Sequence, residues 1–178
     1  MACSLTKGRL DFSCKTLIGG ISNIYVTEFD AGNFVPGDTT HKVKAAATDA
    51  PTFFQFELLN DGNTFDESNE VAKDAGTSTF TQTGTFVLKG QDDLSQEALK
   101  SLSKARTQVV VEYRDGSKRV AGIDFGADFT IGTTSGGAIG DMVGYNVAFT
   151  AVSANLAPFL EGSLTTGAVI DPVAEPIA

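Results

Sequence analysis

The sequence contains one histidine, two cysteines and no tryptophan. A Ser-His-Asp or Cys-His catalyst would have to use His41, which lies in the weakly patterned segment THK rather than in a catalytic motif. Cys3 and Cys14 supply too few ligands for a local tetrahedral zinc site, even with His41 added. The two cysteines form either a reduced pair, which a cytoplasmic protein favours, or one disulfide across a short loop. We expect no enzymatic activity, no metal and no cofactor.

Basic residues are also scarce. The chain has 13 lysines and arginines against 22 acids, which gives a formal net charge of −9. Nucleic-acid binding needs a basic face that displaces counterions from phosphates, so the charge argues strongly against general DNA or RNA binding. The same charge argues against binding to anionic membranes, and we expect no membrane partner.

Long hydrophobic runs are absent. No stretch approaches the length of about 18 apolar residues that marks a membrane-spanning helix. The N-terminus MACSLTKGRLDFSCK lacks the apolar run of a secretory signal. We therefore expect a soluble protein that is made in a cytoplasm.

The chain of 178 residues is rich in glycine, threonine and phenylalanine, with 19, 20 and 13 of each. Threonine and phenylalanine favour strands, and glycine punctuates them. Alternation of apolar and polar residues predicts strands at 21–29, 52–59, 77–89, 107–114, 117–124, 125–131 and 144–152. Between 107–114 and 117–124, Asp115-Gly116 predicts a hairpin with a two-residue type I′ turn.

One helix is predicted after residue 92. Asp93 is the expected N-cap, with Gln96 three residues later in a capping-box arrangement. Leu94, Ala98 and Leu102 recur at helical spacing and predict the face that packs on a sheet.

These elements predict a mainly β fold: an antiparallel β-sandwich or barrel with one packed α-helix and extended N- and C-terminal arms. The expected organisation is an N-terminal arm over residues 1–18, the folded domain over 19–162 and a C-terminal tail over 163–178.

Residues 60–76 (NDGNTFDESNEVAKDAG) are strongly acidic and show no strand alternation, so they are predicted to form a long functional or disordered loop. Asp61, Asn63, Asp66 and Glu70 offer oxygen ligands, but the EF-hand spacing and its flanking helices are missing, which argues against calcium. The glycine-rich segment 132–140 (GTTSGGAIG) lacks the GK[ST] of a phosphate-binding loop and is predicted to be a flexible hairpin loop.

The order of these elements over residues 20–162 resembles the tail tube (major tail) proteins of long-tailed bacteriophages and related contractile injection systems. The closing segment GYNVAFTAVSANLAPFLEG carries most of the resemblance. Its matching positions are Gly144, Tyr145, Phe149, Thr150, Ala157, Pro158, Phe159 and Leu160.

The resemblance implies a structural virion protein of the viral tail, made in the host cytoplasm. Subunits of this family form rings, commonly hexameric, whose strands join into a continuous inner β-barrel. The rings stack into a tube through which DNA is ejected. The expected partners are other copies of the chain and other tail proteins, and the DNA passes without specific binding. Two alternatives stay open: another virion assembly protein, such as a capsid decoration or tail-completion (terminator) protein, and a non-viral β-sandwich binding module.

An acidic lumen would repel phosphate and let DNA slide. The last 59 residues contain six acids and no base, which fits this role. Alternation places polar side chains on one face of each of two strands, and we expect these to face the lumen, unless they form an ordinary solvated surface: Gln55, Glu57, Thr79, Thr81 and Thr83.

The 60–76 segment is the candidate ring-stacking loop, unless it is a disordered surface loop. Its acids are expected to meet bases of the N-terminal arm in the next ring. The acids are Asp61, Asp66, Glu67, Glu70 and Asp74, and the bases are Lys7, Arg9 and Lys15.

Overall fold

The computed structural model describes residues 8, 9, 11, 18–38, 42–47, 50–59 and 61–167. The predictions for Cys3, Lys7, Cys14, Lys15 and His41 fall outside the described residues, as do those for most of the N-terminal arm and for the tail beyond residue 167.

The described residues form eleven strands and one helix. They are β1 (Ile21–Glu28), β2 (Phe34–Pro36), β3 (Lys42–Ala45), β4 (Phe54–Glu57), β5 (Thr64–Ala72), β6 (Thr77–Lys89), α1 (Asp93–Leu102), β7 (Thr107–Tyr113), β8 (Lys118–Ala121), β9 (Ala127–Thr134), β10 (Gly144–Ser153) and β11 (Phe159–Leu160). Strands account for 50% of the structure and the helix for 7%, which confirms the predicted mainly β fold with one helix.

The strands make two layers. The four-stranded layer has the order β5-β6-β10-β9, and the seven-stranded layer has the order β4-β1-β7-β8-β11-β3-β2. One residue pair joins them, Thr107 of β7 opposite Ala127 of β9. Neighbouring strands are antiparallel except for β3 and β11, which are parallel. The arrangement is a sandwich, and the described strands do not close into a barrel.

The main core lies between the two layers, because each contributes the apolar side chains of alternate positions. Val109 and Val111 of β7 meet Val147 and Phe149 of β10 in one cluster of buried residues. The ring of Phe149 lies over Gly84, where a Cβ atom would come within 2.2 Å of the ring. The glycine therefore leaves the space that this ring fills.

A second, smaller core lies on the other face of the seven-stranded layer. It contains the buried side chains of Tyr25, Phe53, Val110 and Val120. The chain after β11 helps to cover it: the Phe53 N–H donates to the carbonyl of residue 165 at 2.9 Å, and the N–H of residue 167 donates to the Phe53 carbonyl at 2.8 Å. Residues 163–167 of the predicted tail thus lie against the sheet.

Helix α1 begins one residue earlier than the sequence suggests. Asp92 is the N-cap: its backbone is extended, and its Oδ2 accepts the Ser95 N–H at 2.9 Å. Asp93 is the first helical residue, so the prediction that it caps the helix is wrong. Leu99 and Leu102 are buried against the core, whereas Leu94 is 45% exposed.

The β7–β8 hairpin is confirmed, but its turn differs from the prediction. The Tyr113 N–H bonds the Ser117 carbonyl and the Gly116 N–H bonds the Tyr113 carbonyl, both at 2.9 Å. The loop therefore has three residues, with Gly116 at φ 82° in the left-handed position that ends such a turn. The Asp115 side chain accepts the Ser117 N–H, which favours this turn over type I′.

The predicted long loop at 60–76 is wrong. Residues 64–72 are strand β5, which pairs with β6 through a turn at 73–76. The alternation is hidden because the inward positions of β5 are a mixture of apolar and polar residues, Phe65, Glu67, Asn69 and Val71, rather than an apolar series. Glu67 is polar yet only 7% exposed, because it meets an arginine inside the sandwich.

Candidate functional site

The outward face of the four-stranded layer is a largely polar surface, interrupted on β10 by Ala148 and by the exposed Val152. Strand β6 places Thr79, Thr81, Thr83 and Thr85 on this face, because side chains alternate along a strand. Polar residues of β5 stand directly opposite them across the sheet. The pairs are Glu70 with Thr79, Ser68 with Thr81, Asp66 with Thr83 and Thr64 with Thr85.

Strands β10 and β9 extend this surface. Thr150 of β10 lies opposite Thr83 on one side and opposite Asp128 of β9 on the other. Thr130 follows on β9, beside Ala148 of β10. Most of these side chains are exposed. We call this surface, formed by the outward residues of β5, β6, β10 and β9, the threonine face.

The threonine face carries more acid than base. Asp66, Glu70 and Asp128 lie along it, and among its described strand residues the base is Lys89, at one end of β6. A surface of this kind repels phosphate groups and offers hydroxyl groups to water.

Both margins of the four-stranded layer are open strand edges in the described part of the chain. Strand β5 pairs with β6 alone, so one edge of all nine residues is free of a strand partner. Strand β9 pairs with β10 along its length but meets β7 only at Ala127. Open edges present unpaired N–H and C=O groups that template pairing with another chain.

The structure divides the predicted lumen residues into two groups. Thr79, Thr81 and Thr83 lie together on the threonine face, as alternation within one strand requires. Gln55 and Glu57 lie on β4 in the seven-stranded layer, because β4 pairs with β1 and not with β6. The Gln55 Nε2 donates to the Asn23 side chain at 3.0 Å, and Glu57 is exposed.

The predicted stacking acids occupy four places rather than one loop. Asp66 and Glu70 lie on the threonine face, and Asp74 lies in the turn after β5. Asp61 precedes β5 and pairs with Arg114 at 2.7 Å in a largely exposed ion pair. Glu67 points inward and pairs with Arg119 at 2.6 Å. Of the predicted basic partners, Arg9 is described and is exposed.

Sequence reasoning missed the contribution of β9 and β10 to this surface. Asp128 and Thr130 alternate with the buried Ala127 and Phe129, so the signal was present as a period of two. The contribution of β5 had no comparable signal, because its inward residues include polar side chains.

A polar cluster lies on the opposite side of the molecule, on the outer face of the seven-stranded layer. Glu112 accepts hydrogen bonds from Asn23 at 2.7 Å and Tyr25 at 2.8 Å and pairs with Lys118 at 2.9 Å. Burial opposes the charge of Glu112, but these donors outweigh it and hold its pKa below the usual value. Burial and the bond to Glu112 raise the pKa of Tyr25 to about 12. The hydrogen-bonding groups of Glu112 are therefore engaged within the protein.

A groove of about 370 Å³ lies between the β7–β8 turn and β11, lined by Lys42, Ser117, Lys118, Phe159 and Glu161 among others. The Ser117 hydroxyl in this groove donates to the Asp115 side chain and thereby stabilises the turn. Lys118 is engaged by Glu112. These contacts are structural, and we assign no reaction to the groove.

The glycine-rich loop between β9 and β10 binds its own carboxylate. The N–H groups of Gly137 and Ala138 both donate to Asp141 Oδ2 at 2.8 Å, and these bonds hold the pKa of Asp141 below its usual value. The amides that a phosphate would need are thus occupied. Across the described ranges, no group of three or more His, Cys, Asp or Glu residues is placed to hold a metal ion.

No protein-family model matches the chain, and no curated protein gives a significant match. Within the part of the chain that the structure covers, α1 is too short and too polar to cross a membrane, and no longer apolar helix occurs.

Proposed function

We propose that this chain is a structural virion protein of the tail tube type, which polymerises as stacked rings into a conduit for DNA ejection. The observation that carries the proposal is the threonine face, an acidic sheet surface bounded on both sides by open strand edges. Its partners are other copies of itself and other tail proteins, and its role is mechanical rather than enzymatic.

The open edges supply the contact between subunits. When β5 of one copy pairs with β9 of the next, the unpaired backbone groups of both edges are satisfied, and the four-stranded layers become one sheet. The contact is heterologous, since it joins two different surfaces, and such contacts form a ring when the rotation from one copy to the next closes. Barrels of about 16–18 strands already enclose an aqueous channel, and six copies of a four-stranded layer exceed that number.

The charge of the threonine face suits the inner wall of such a ring. Asp66, Glu70 and Asp128 would repel the phosphates of passing DNA, and the threonine hydroxyls would bind water without holding the DNA by charge. The apolar inward side of the same layer is buried by the rest of the sandwich, so each subunit brings its own support for the wall.

Negative-stain microscopy and sedimentation of the purified full chain test the assembly directly. We expect rings or hollow tubes. A monomer that forms neither at any concentration would contradict the proposal, and closed rings that never stack would indicate a tail-terminator protein instead.

Disulfide trapping tests which edges meet. In a Cys3→Ser, Cys14→Ser background, Ser68→Cys on β5 combined with Thr130→Cys on β9 should give a ladder of covalent oligomers on mild oxidation. The matched control combines Ser68→Cys with Thr150→Cys, which lies on β10 inside the layer and should give no ladder. Cysteines at neighbouring positions of β5 are tested in parallel, because the register of the two strands decides which Cα atoms lie within the roughly 7 Å that a disulfide needs. Equal ladders from both combinations would mean that the edges do not pair.

A further inference from the structure

The edge strand β5 is attached to the opposite layer over only part of its length. Two of its inward side chains reach into the sandwich: Phe65, whose ring stacks on Phe149 with centroids 6.0 Å apart, and Glu67. The next inward residues, Asn69 and Val71, are exposed. Glu67 is therefore the last point, before the turn at 73–76, at which a buried side chain of β5 contacts the seven-stranded layer.

Glu67 makes contacts from three directions. Its Oε1 accepts the Ala157 N–H at 2.6 Å and lies 3.4 Å from the Gln82 amide nitrogen. Its Oε2 lies 2.6 Å from Arg119 Nη1, an ionic contact without the alignment of a hydrogen bond. Gln82 is itself buried and accepts the Gly122 N–H at 3.0 Å. One carboxylate thus connects β5 to β6, β8 and the segment after β10.

Arg119 completes the connection. Its Nε and Nη2 atoms donate to the Ala157 carbonyl at 3.1 and 2.9 Å. Glu67 and Arg119 therefore bind the N–H and the C=O of the same residue, and each fixes the direction of the other.

Stability is a poor explanation for this arrangement. Removing two charges from water is costly, and an apolar pair of similar volume is often as stable or more so, whereas a buried ion pair admits few geometries. The neighbouring inward contact, Phe65 on Phe149, shows that an apolar solution exists on the same strand face. What the ion pair adds is a fixed direction for β5 beyond residue 67.

We propose that Glu67, acting through Arg119, is a positioning residue for assembly: it holds the β5 edge at the angle at which another copy pairs with it. This inference rests on the proposed function, because the edge is the surface through which subunits join. Without the pair, β5 and β6 still form a hairpin, but beyond residue 67 it swings relative to the sandwich and its strand hydrogen bonds open more often.

The test compares Glu67→Gln with Glu112→Gln in the full chain. In the Glu67→Gln variant, the side-chain amide oxygen can still accept the Ala157 N–H, but it no longer neutralises Arg119. Glu112→Gln breaks a second partly buried ion pair, to Lys118, which lies on β8 as Arg119 does. This pair is on the face of the seven-stranded layer that points away from β5. Both variants are compared at temperatures of equal folded fraction. We expect Glu67→Gln to raise the critical concentration for assembly about tenfold and Glu112→Gln to change it less than about threefold.

Hydrogen exchange of the unassembled chain gives a second readout. Amides of residues 66–80 should exchange about tenfold faster in Glu67→Gln than in the wild type, with no such change in Glu112→Gln. Three results would overturn the positioning role. They are a Glu67→Gln variant that assembles as well as the wild type, an equal loss of assembly in both variants, or an unchanged rate of amide exchange at residues 66–80. If the wild-type chain fails to assemble, the proposed function fails, and the exchange measurement still decides whether Glu67 fixes the hairpin.

Discussion

In the four-stranded layer, the packing around Phe149 explains the glycine at residue 84. The ring of Phe149 is buried between Phe65 and Phe129, with centroid distances of 6.0 and 5.5 Å, and it lies directly over Gly84. A Cβ atom at residue 84 would have to displace a ring that is held on both sides. The glycine is thus part of the packing of the core rather than a point of flexibility.

Gly84→Ala should therefore destabilise the protein. Overpacking of a well-filled core costs about 1–3 kcal/mol, so we expect a loss of that size in the free energy of unfolding measured with urea. Gly132→Ala is the matched control: it lies on β9 of the same layer, and the nearest atom to its Cβ would be 3.9 Å away. A Gly84→Ala variant as stable as Gly132→Ala would show that the ring moves freely.

At the scale of the elements, helix α1 shows that local sequence alone does not decide which of two adjacent aspartates is the N-cap. Asp92 and Asp93 are adjacent, and the capping-box spacing to Gln96 favours Asp93. The extended backbone of Asp92 instead lets its carboxylate turn back to the Ser95 N–H, while Asp93 already has a place in the first helical turn. The acid at Asp93 then acts only through the helix dipole.

Replacing the two aspartates separately distinguishes these roles. Asp92→Ala should lower the free energy of unfolding by about 1 kcal/mol, because an N-cap bond is lost. Asp93→Ala should lower it by only about 0.3 kcal/mol, the contribution of a charge near a helix N-terminus. Thermal and urea unfolding of both variants measure the difference, and the reverse order of effects would restore Asp93 as the cap.

For the whole molecule, the distribution of charge matters more than its sum. The net charge of −9 is spread over many surfaces, and several acids are engaged by bases, as Asp61 is by Arg114 and Glu67 by Arg119. The threonine face carries Asp66, Glu70 and Asp128, whereas its basic residue, Lys89, lies at one end. In the proposed assembly this is the surface that DNA meets.

Replacing acids of the threonine face by lysines should make the inner surface of the tube bind DNA instead of repelling it. Asp66→Lys with Glu70→Lys should make assembled tubes retain duplex DNA, with an affinity that falls steeply as salt rises. The matched control, Asp93→Lys with Glu97→Lys, changes the net charge equally but lies on α1. Co-sedimentation of DNA with assembled tubes measures the effect. Equal retention by both variants would mean that the threonine face does not line the bore.

The sequence by itself determined the class of fold and most of the strands. Where a strand buries one face, as β6 and β10 do, the local sequence shows a period of two. The Asp-Gly hairpin and the helix follow from equally local signals. The same alternation correctly put Thr79, Thr81 and Thr83 on one surface.

Only the tertiary structure decided what depends on partners that are distant in sequence. Strand β5 looked like an acidic loop because Glu67 stands where an apolar residue is expected, and the residue that compensates it, Arg119, lies far along the chain. Gln55 and Glu57 do not lie on the predicted surface because β4 pairs with β1. The local sequence of β4 contains no signal for that pairing. Local pattern fixes which way a side chain points from its strand, whereas the pairing of strands decides which surface it joins.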